Sequence, residues 1–168
     1  MRMPLLVALL AASGAAGCAA DGAADPVPPE VTLGTGDVSF ESLQSGDDIY
    51  IVQGPQGGFH FFGSVLVRGI DPGDPDNLDA PDNPTTDFQV WSGGARVDVM
   101  AAHYVQGLEP GPDADTYEMI GRLVILDIQA DDELAGAQVR FLVSVTDTAG
   151  NSASCELMLT AVRHPNNP

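Results

Sequence analysis

The chain has 168 residues with 24 acidic and 6 basic side chains, every basic one an arginine, for a formal net charge of −18. Hydrophobic residues make up 44%, with 19 Gly and 13 Pro, which excludes a disordered polyanion or a fibrous repeat and suits one domain with a buried core. So acidic a surface is repelled by phosphate backbones, which excludes nucleic acid as a partner.

In chain order, residues 1–17 combine Arg2, an apolar run over 5–12 and a small-residue stretch over 13–17. This is the order of an export signal, and the apolar run is shorter than the ~20 residues that span a bilayer. Without it the chain carries five arginines against 24 acids, a net charge of −19. Residues 18–30 (CAADGAADPVPPE) have no apolar period and read as a flexible tether. With residues 165–168 taken as a tail, the folded domain is expected over 31–164.

From Val31 the apolar residues recur at period two. Strands are predicted over 31–33, 48–53, 59–70, 87–92, 95–104, 117–128, 137–147 and 152–163. In the 59–70 run Phe59, Phe61, Val65 and Val67 share an inward face, while His60, Ser64 and Arg68 point outward. Val139, Phe141, Val143 and Val145 repeat the inward pattern, as do Ala153, Cys155, Leu157, Leu159 and Ala161. Gly121 marks a bulge, because both faces turn apolar beyond it. Gly-, Pro- and Asn-rich turns separate the runs, and no helix is available to cover a sheet. The expectation is an all-β fold, an antiparallel β-sandwich of about seven or eight strands.

If neighbouring strands alternate in direction, the connections at 37–48, 71–87, 109–115 and 147–151 gather at one end. The turns at 54–58 and 92–94 gather at the other, together with 129–136.

The loop 71–87 (DPGDPDNLDAPDNPTTD) holds six Asp and four Pro. Calcium takes six to eight oxygen ligands, so Asp71, Asp74, Asp76, Asp79 and Asp82 are candidate ligands. The spacing does not match an EF-hand: Leu78 occupies the third ligand position and Thr85 the twelfth. A solvated, proline-stiffened loop is the simpler reading. In 54–60 (GPQGGFH) a tight hairpin accounts for the Gly and Pro residues but not for Gln56 and His60. Gln56, His60 and Arg68 are therefore candidate contacts to a ligand or partner, with Phe62 and Leu66 on the same face. Blue copper and structural zinc lack their ligand spacings, and Cys155 has inward parity. No G-x-S-x-G is present. Among 24 acids some carboxylate pair always exists, so such pairs carry no information. Trp91 is expected to be buried, and no catalytic role is assigned.

Three resemblances add to this. Residues 15–18 (AAGC) resemble the lipobox of bacterial lipoproteins, which implies lipidation of Cys18, attachment to a membrane and residence in the cell envelope, with the outer membrane favoured. Used as an anchor, Cys18 leaves Cys155 alone and rules out a disulfide framework. Residues 143–162 (VSVTDTAGNSASCELMLTAV) are similar to the last hairpin of bacterial Ig-like domains, which implies an Ig-like sandwich. The GPQGGFH segment looks like a motif of uncharacterised surface lipoproteins of high-GC Gram-negative bacteria, which implies a compartment and no activity. Together they imply a lipid-anchored interaction or structural module with an envelope or extracellular protein as its partner. A calcium-dependent ligand-binding domain is the alternative.

Overall fold

Alternating apolar residues produce the strands at the expected places in a computed structural model, which describes residues 27–99 and 102–167. Cys18 and the signal segment lie outside the described residues, as do 19–26 of the tether. The elements are β1 (Glu30–Thr35), β2 (Glu41–Ser42), β3 (Asp48–Gln53), β4 (Phe59–Arg68), β5 (Thr85–Ser92), β6 (Ala95–Arg96), β7 (His103–Val105), β8 (Glu109–Pro110), β9 (Thr116–Leu126), β10 (Gln138–Thr146) and β11 (Ser152–Arg163). A single 3-10 turn, Asp131–Glu133, interrupts the link between β9 and β10. The fold is all-β and sandwich-like. Four of the eleven strands are only two or three residues long, so the longer ones match the expected number.

One layer is built on β4, with β1 along one edge and β9 along the other; the second runs β3-β11-β10-β5. Phe61 on β4 meets Phe141 on β10 at 6.0 Å between ring centroids, and Phe141 meets Phe88 on β5 at 5.8 Å. These three rings, all essentially inaccessible, tie the layers together. Gly63 lets β4 approach this cluster, since a Cβ there would lie 2.8 Å from the Phe88 ring.

Both open edges of the sandwich are joined by hydrogen bonds. At one, β3 pairs with β11 through Asp48–Ile51 and then with β4 through Val52 and Gln53. At the other, the chain after β6 leaves β5 for β9: Asp98 bridges Leu126, Val99 N–H donates to the Ile125 carbonyl, and Asp127 N–H donates to that of Val97. The predicted single strand over 95–104 is thereby split into β6 and β7.

The β3–β11 pair is parallel, the one departure from antiparallel pairing among the described strands. β1 and β3 therefore run in the same direction and occupy successive stretches of one β4 edge. This corrects the expected grouping of loops. Residues 71–84, 111–115 and 147–151 do share an end, but 37–47 join two strands of the same direction and cannot turn back there.

The bulge at Gly121 is present. Register shifts opposite Ser64, and Gly121 adopts φ +69° with its would-be Cβ 2.7 Å from the Asp37 carbonyl oxygen, a conformation and a space that suit glycine alone. The Ser64 hydroxyl accepts from Gly121 N–H and donates to the Gly36 carbonyl, so Ser64 is buried despite its outward parity.

The last hairpin, β10–β11, closes on the predicted Asp-x-x-Gly-Asn turn. Asp147 accepts from both the backbone and side-chain nitrogens of Asn151 at 2.9 and 2.8 Å, and from Asp71 N–H at 3.1 Å. Residues read as tail are part of the fold: the Asn167 side chain accepts from Gln53 N–H and donates to the Ile51 carbonyl and Asp131. Gly69 packs against the Val27 and Pro28 carbonyls, so the chain enters the domain at the Arg68 end of β4.

Candidate functional site

The Gly121 bulge turns Leu123 and Ile125 to the outer surface of β9, where they are 44% and 45% exposed. Register sets His60 of β4 opposite Ile125 and Phe62 opposite Leu123, so these four side chains share one outer face. The imidazole meets the Phe62 ring edge-on at 5.0 Å between centroids.

One wall of the resulting depression is the turn over residues 54–58. Its geometry comes from two hydrogen bonds, Gly54 N–H to the Gly58 carbonyl and Gly57 N–H to the Gly54 carbonyl, with Gly57 at φ +86°. A Cβ on Gly54 would touch the His60 ring at 3.7 Å, which shows how closely the turn folds over it. His60 is thus buried, 8% exposed, where its parity placed it on an open face. Its Nε2 is buried without a hydrogen-bond partner, and burial pushes its pKa below the ordinary histidine value. The imidazole is therefore neutral at pH 7. Gly54, Pro55, Gln56, Gly58, Phe59 and His60 line this depression with Leu123 and Ile125, around a volume of about 290 Å³.

Leu123 and Ile125 also border a second depression of about 280 Å³, shared with Val99, Ala102, Tyr104 and Arg122. The Tyr104 hydroxyl donates to the Leu123 carbonyl at 2.8 Å, and burial raises its pKa against the lowering effect of the Arg122 charge. Arg122 lies 5.9 Å above the Tyr104 ring, its Nε buried without a partner. The two depressions form one apolar groove across the outer face of β4 and β9.

Gln56 and His60, expected as contacts, are brought together here. Arg68 is not: it lies at the opposite end of β4 beside Glu30 and Thr116, eight residues and about 27 Å from His60. Leu66 is likewise remote, half-covered by Gly111.

Asp71, Asp74, Asp76, Asp79 and Asp82 are all exposed and serve a different geometry. The Asp71 and Asp74 carboxylates accept from the N–H groups of Gly73 and Asp76, and Asn77 does the same for Asp79, making three successive side-chain-capped turns. Buried Asn83 holds the loop from within, accepting from Asp74 N–H and donating to the carbonyls of Asn77 and Leu78. Among the described residues no three His, Cys, Asp or Glu side chains are gathered to hold a metal ion.

Trp91, expected inside, stands half-buried on the outer face of β5 with the Arg140 guanidinium 5.1 Å above its ring. Cys155 packs against the core, while Met158 faces outward, as their opposite parities require. No protein-family model matches the chain, and no curated protein or solved structure matches it either.

Proposed function

We propose that this chain is an exported Ig-like module, anchored through lipidated Cys18 in the bacterial outer membrane, that contacts an envelope or extracellular protein with the groove on β4 and β9. The observation that carries this reading is that Val99, Leu123 and Ile125 are exposed together along one face of an acidic domain, whereas the other exposed apolar side chains, such as Val38 and Leu78, stand apart from them. The chain enters the domain at the Arg68 end of β4, and the groove lies at the Phe59 end. Cys18 stands nine residues before Val27, a reach of at most about 30 Å. The acidic loops at 71–84, 111–115 and 147–151 share the entry end, where they would be repelled by anionic headgroups and hold the groove away from the bilayer.

The test compares three full-length chains expressed in the native cell. After mild detergent extraction the unaltered chain should migrate as part of a larger assembly. Leu123→Ser combined with Ile125→Ser should stay in the membrane fraction and migrate alone. Cys18→Ala should leave the membrane fraction. A double serine variant that still co-migrates overturns the groove as the contact surface, and a Cys18→Ala chain that stays membrane-bound overturns the anchor.

A further inference from the structure

The groove contains a cation without a counter-ion. Among the described residues Arg96, Arg140 and Arg163 each meet a carboxylate, at 2.7, 3.8 and 2.7 Å, and Arg68 is exposed to water. Arg122 differs from all four: it is partly buried, and no described carboxylate lies within ion-pair distance of it. It is the one charged side chain lining its depression, beside Val99, Ala102, Tyr104, Leu123 and Ile125. The Tyr104 ring steadies the guanidinium from one face, 5.9 Å away. The phenol supplies no counter-charge, because burial raises its pKa and its hydroxyl is spent on the Leu123 carbonyl. Nε of Arg122 is sealed, but its two terminal nitrogens are neither sealed nor hydrogen-bonded among the described residues. A charge taken partly out of water costs free energy until it is paired, and the 24 acids of the chain supply no partner here.

We propose that the groove binds a straight-chain monocarboxylate, its carboxylate on the terminal nitrogens of Arg122 and its alkyl chain along Leu123 and Ile125 toward the 54–58 turn. The end of a planar guanidinium presents parallel N–H groups that match the two oxygens of a carboxylate. One positive charge matches one negative charge, whereas a dianionic phosphate would leave a charge uncompensated against apolar side chains. Leu123 and Ile125 border both depressions, of about 280 and 290 Å³, so a chain that starts at Arg122 continues over them to Pro55 and Phe59. A compact body would fill only one of the two. The net charge of −18 opposes any anion at long range, but salt screens that repulsion beyond about 8 Å and leaves the contact pair largely intact. The site goes beyond the partner-contact reading and stands whether or not the groove also meets a protein.

The experiment is a titration of the full chain carrying Cys18→Ala with octanoate, 1-octanol and butyrate at pH 7. Binding is followed through the methyl resonances of Leu123 and Ile125 and the Nε–H resonance of Arg122. Octanoate should shift these signals saturably and bind about tenfold more tightly than 1-octanol, the worth of a hydrogen bond to a charged group. It should also bind at least tenfold more tightly than butyrate, since the four extra methylenes lie on Leu123 and Ile125. Arg122→Gln, which keeps a polar side chain of similar length, should bind octanoate no more tightly than 1-octanol.

Equal affinity of the unaltered chain for octanoate and 1-octanol overturns the proposal, and this comparison holds even if the Arg122 variant fails to fold. A folded Arg122→Gln chain that keeps the preference for octanoate overturns it, as does butyrate binding as tightly as octanoate. So does the absence of saturation below the concentration at which octanoate forms micelles. None of these outcomes depends on the co-migration assay, so failure of the ligand site and failure of the partner contact remain distinguishable.

Discussion

Asp98→Ala is expected to lower the stability of the domain by about 3 kcal/mol, or roughly 10 °C in melting temperature. The reason is the crossing from β5 to β9. In a continued hairpin the Val97 carbonyl would accept from Val90 N–H. Here that carbonyl accepts from Asp127 N–H instead, and the Asp98 carboxylate takes its place on Val90 N–H at 2.7 Å. The same carboxylate binds Arg96 through Nε and through Nη2 at 2.7 Å, and these hydrogen bonds push the guanidinium pKa up. The Asp98 side chain is fully buried, whereas that of Arg96 is 34% exposed. Alanine thus strands a buried N–H with nothing to bond, while water recovers part of the arginine. Asp98→Asn, which keeps an oxygen for Val90, should cost about half as much. Urea unfolding of the three proteins decides the matter. A loss under 1 kcal/mol for alanine, or equal losses for both variants, would show that the crossing does not depend on this carboxylate. Val99 follows immediately and forms the rim of the groove, so the same variant should also increase amide exchange at Val99 and Asp127, whose N–H groups donate across the crossing.

The second large effect concerns Asp147 and depends on pH. Burial raises the pKa of this carboxyl, but hydrogen bonds from the Asn151 side chain, Asp71 N–H, Asn151 N–H and Ala149 N–H outweigh it, and the net shift is downward. A carboxylate whose folded pKa lies below its unfolded value stabilises the fold above the unfolded value, near 4, and this contribution is lost as pH falls through the folded one. Asp147→Ala should therefore cost about 2 kcal/mol at pH 7, because the donors from the hairpin turn and from Asp71 lose a charged acceptor. The gap between variant and unaltered chain should narrow as pH falls below about 4. A gap that stays constant from pH 7 to pH 2.5 would assign the loss to packing rather than to the ionised carboxylate. Because Asp71 opens the acidic loop, its amide should exchange faster in the variant at neutral pH.

Much of the fold was legible because one property, parity, dominates in long strands. In β4, β10 and β11 the residues assigned inward (Phe61, Val65, Phe141, Val143, Leu159) are all core residues. The bulge at Gly121 was legible for the same reason, since a change in which face is apolar requires a change of register. Tertiary competition for backbone partners was not legible. Nothing in the 95–104 run reveals that Val97 bonds to Asp127, and only that bond explains why Asp98 is buried. The parallel β3–β11 pair was hidden in the same way, because alternation records the faces of a strand and not the direction of its neighbour.

The groove was half legible. The 54–58 turn and the outward parity of His60 were each read correctly, but that the turn folds back over the ring follows from packing against β9. Leu123 and Ile125 were missed as site residues, although the apolar stretch on both faces beyond Gly121 was the signal for them: an apolar residue on the outer face of a bulged strand faces either a covering loop or a partner. Arg68 was grouped with His60 because both share a face, and eight residues of strand separate them. In the 71–87 loop, composition offered a cation site as the alternative to a solvated loop, and the spacing of Asp71, Asp74 and Asn77 two residues before the N–H groups they cap was the signal for turns.

The most direct test of the groove as the contact surface is site-specific photo-crosslinking in intact cells. A photoreactive phenylalanine analogue is placed in turn at Leu123, at Val38 and at Arg68 of the full chain. All three side chains are exposed, but only Leu123 lies in the groove. A discrete adduct from position 123, absent from 38 and 68, is the predicted result. Adducts of equal yield from all three positions, or an adduct from 38 or 68 with none from 123, would contradict it.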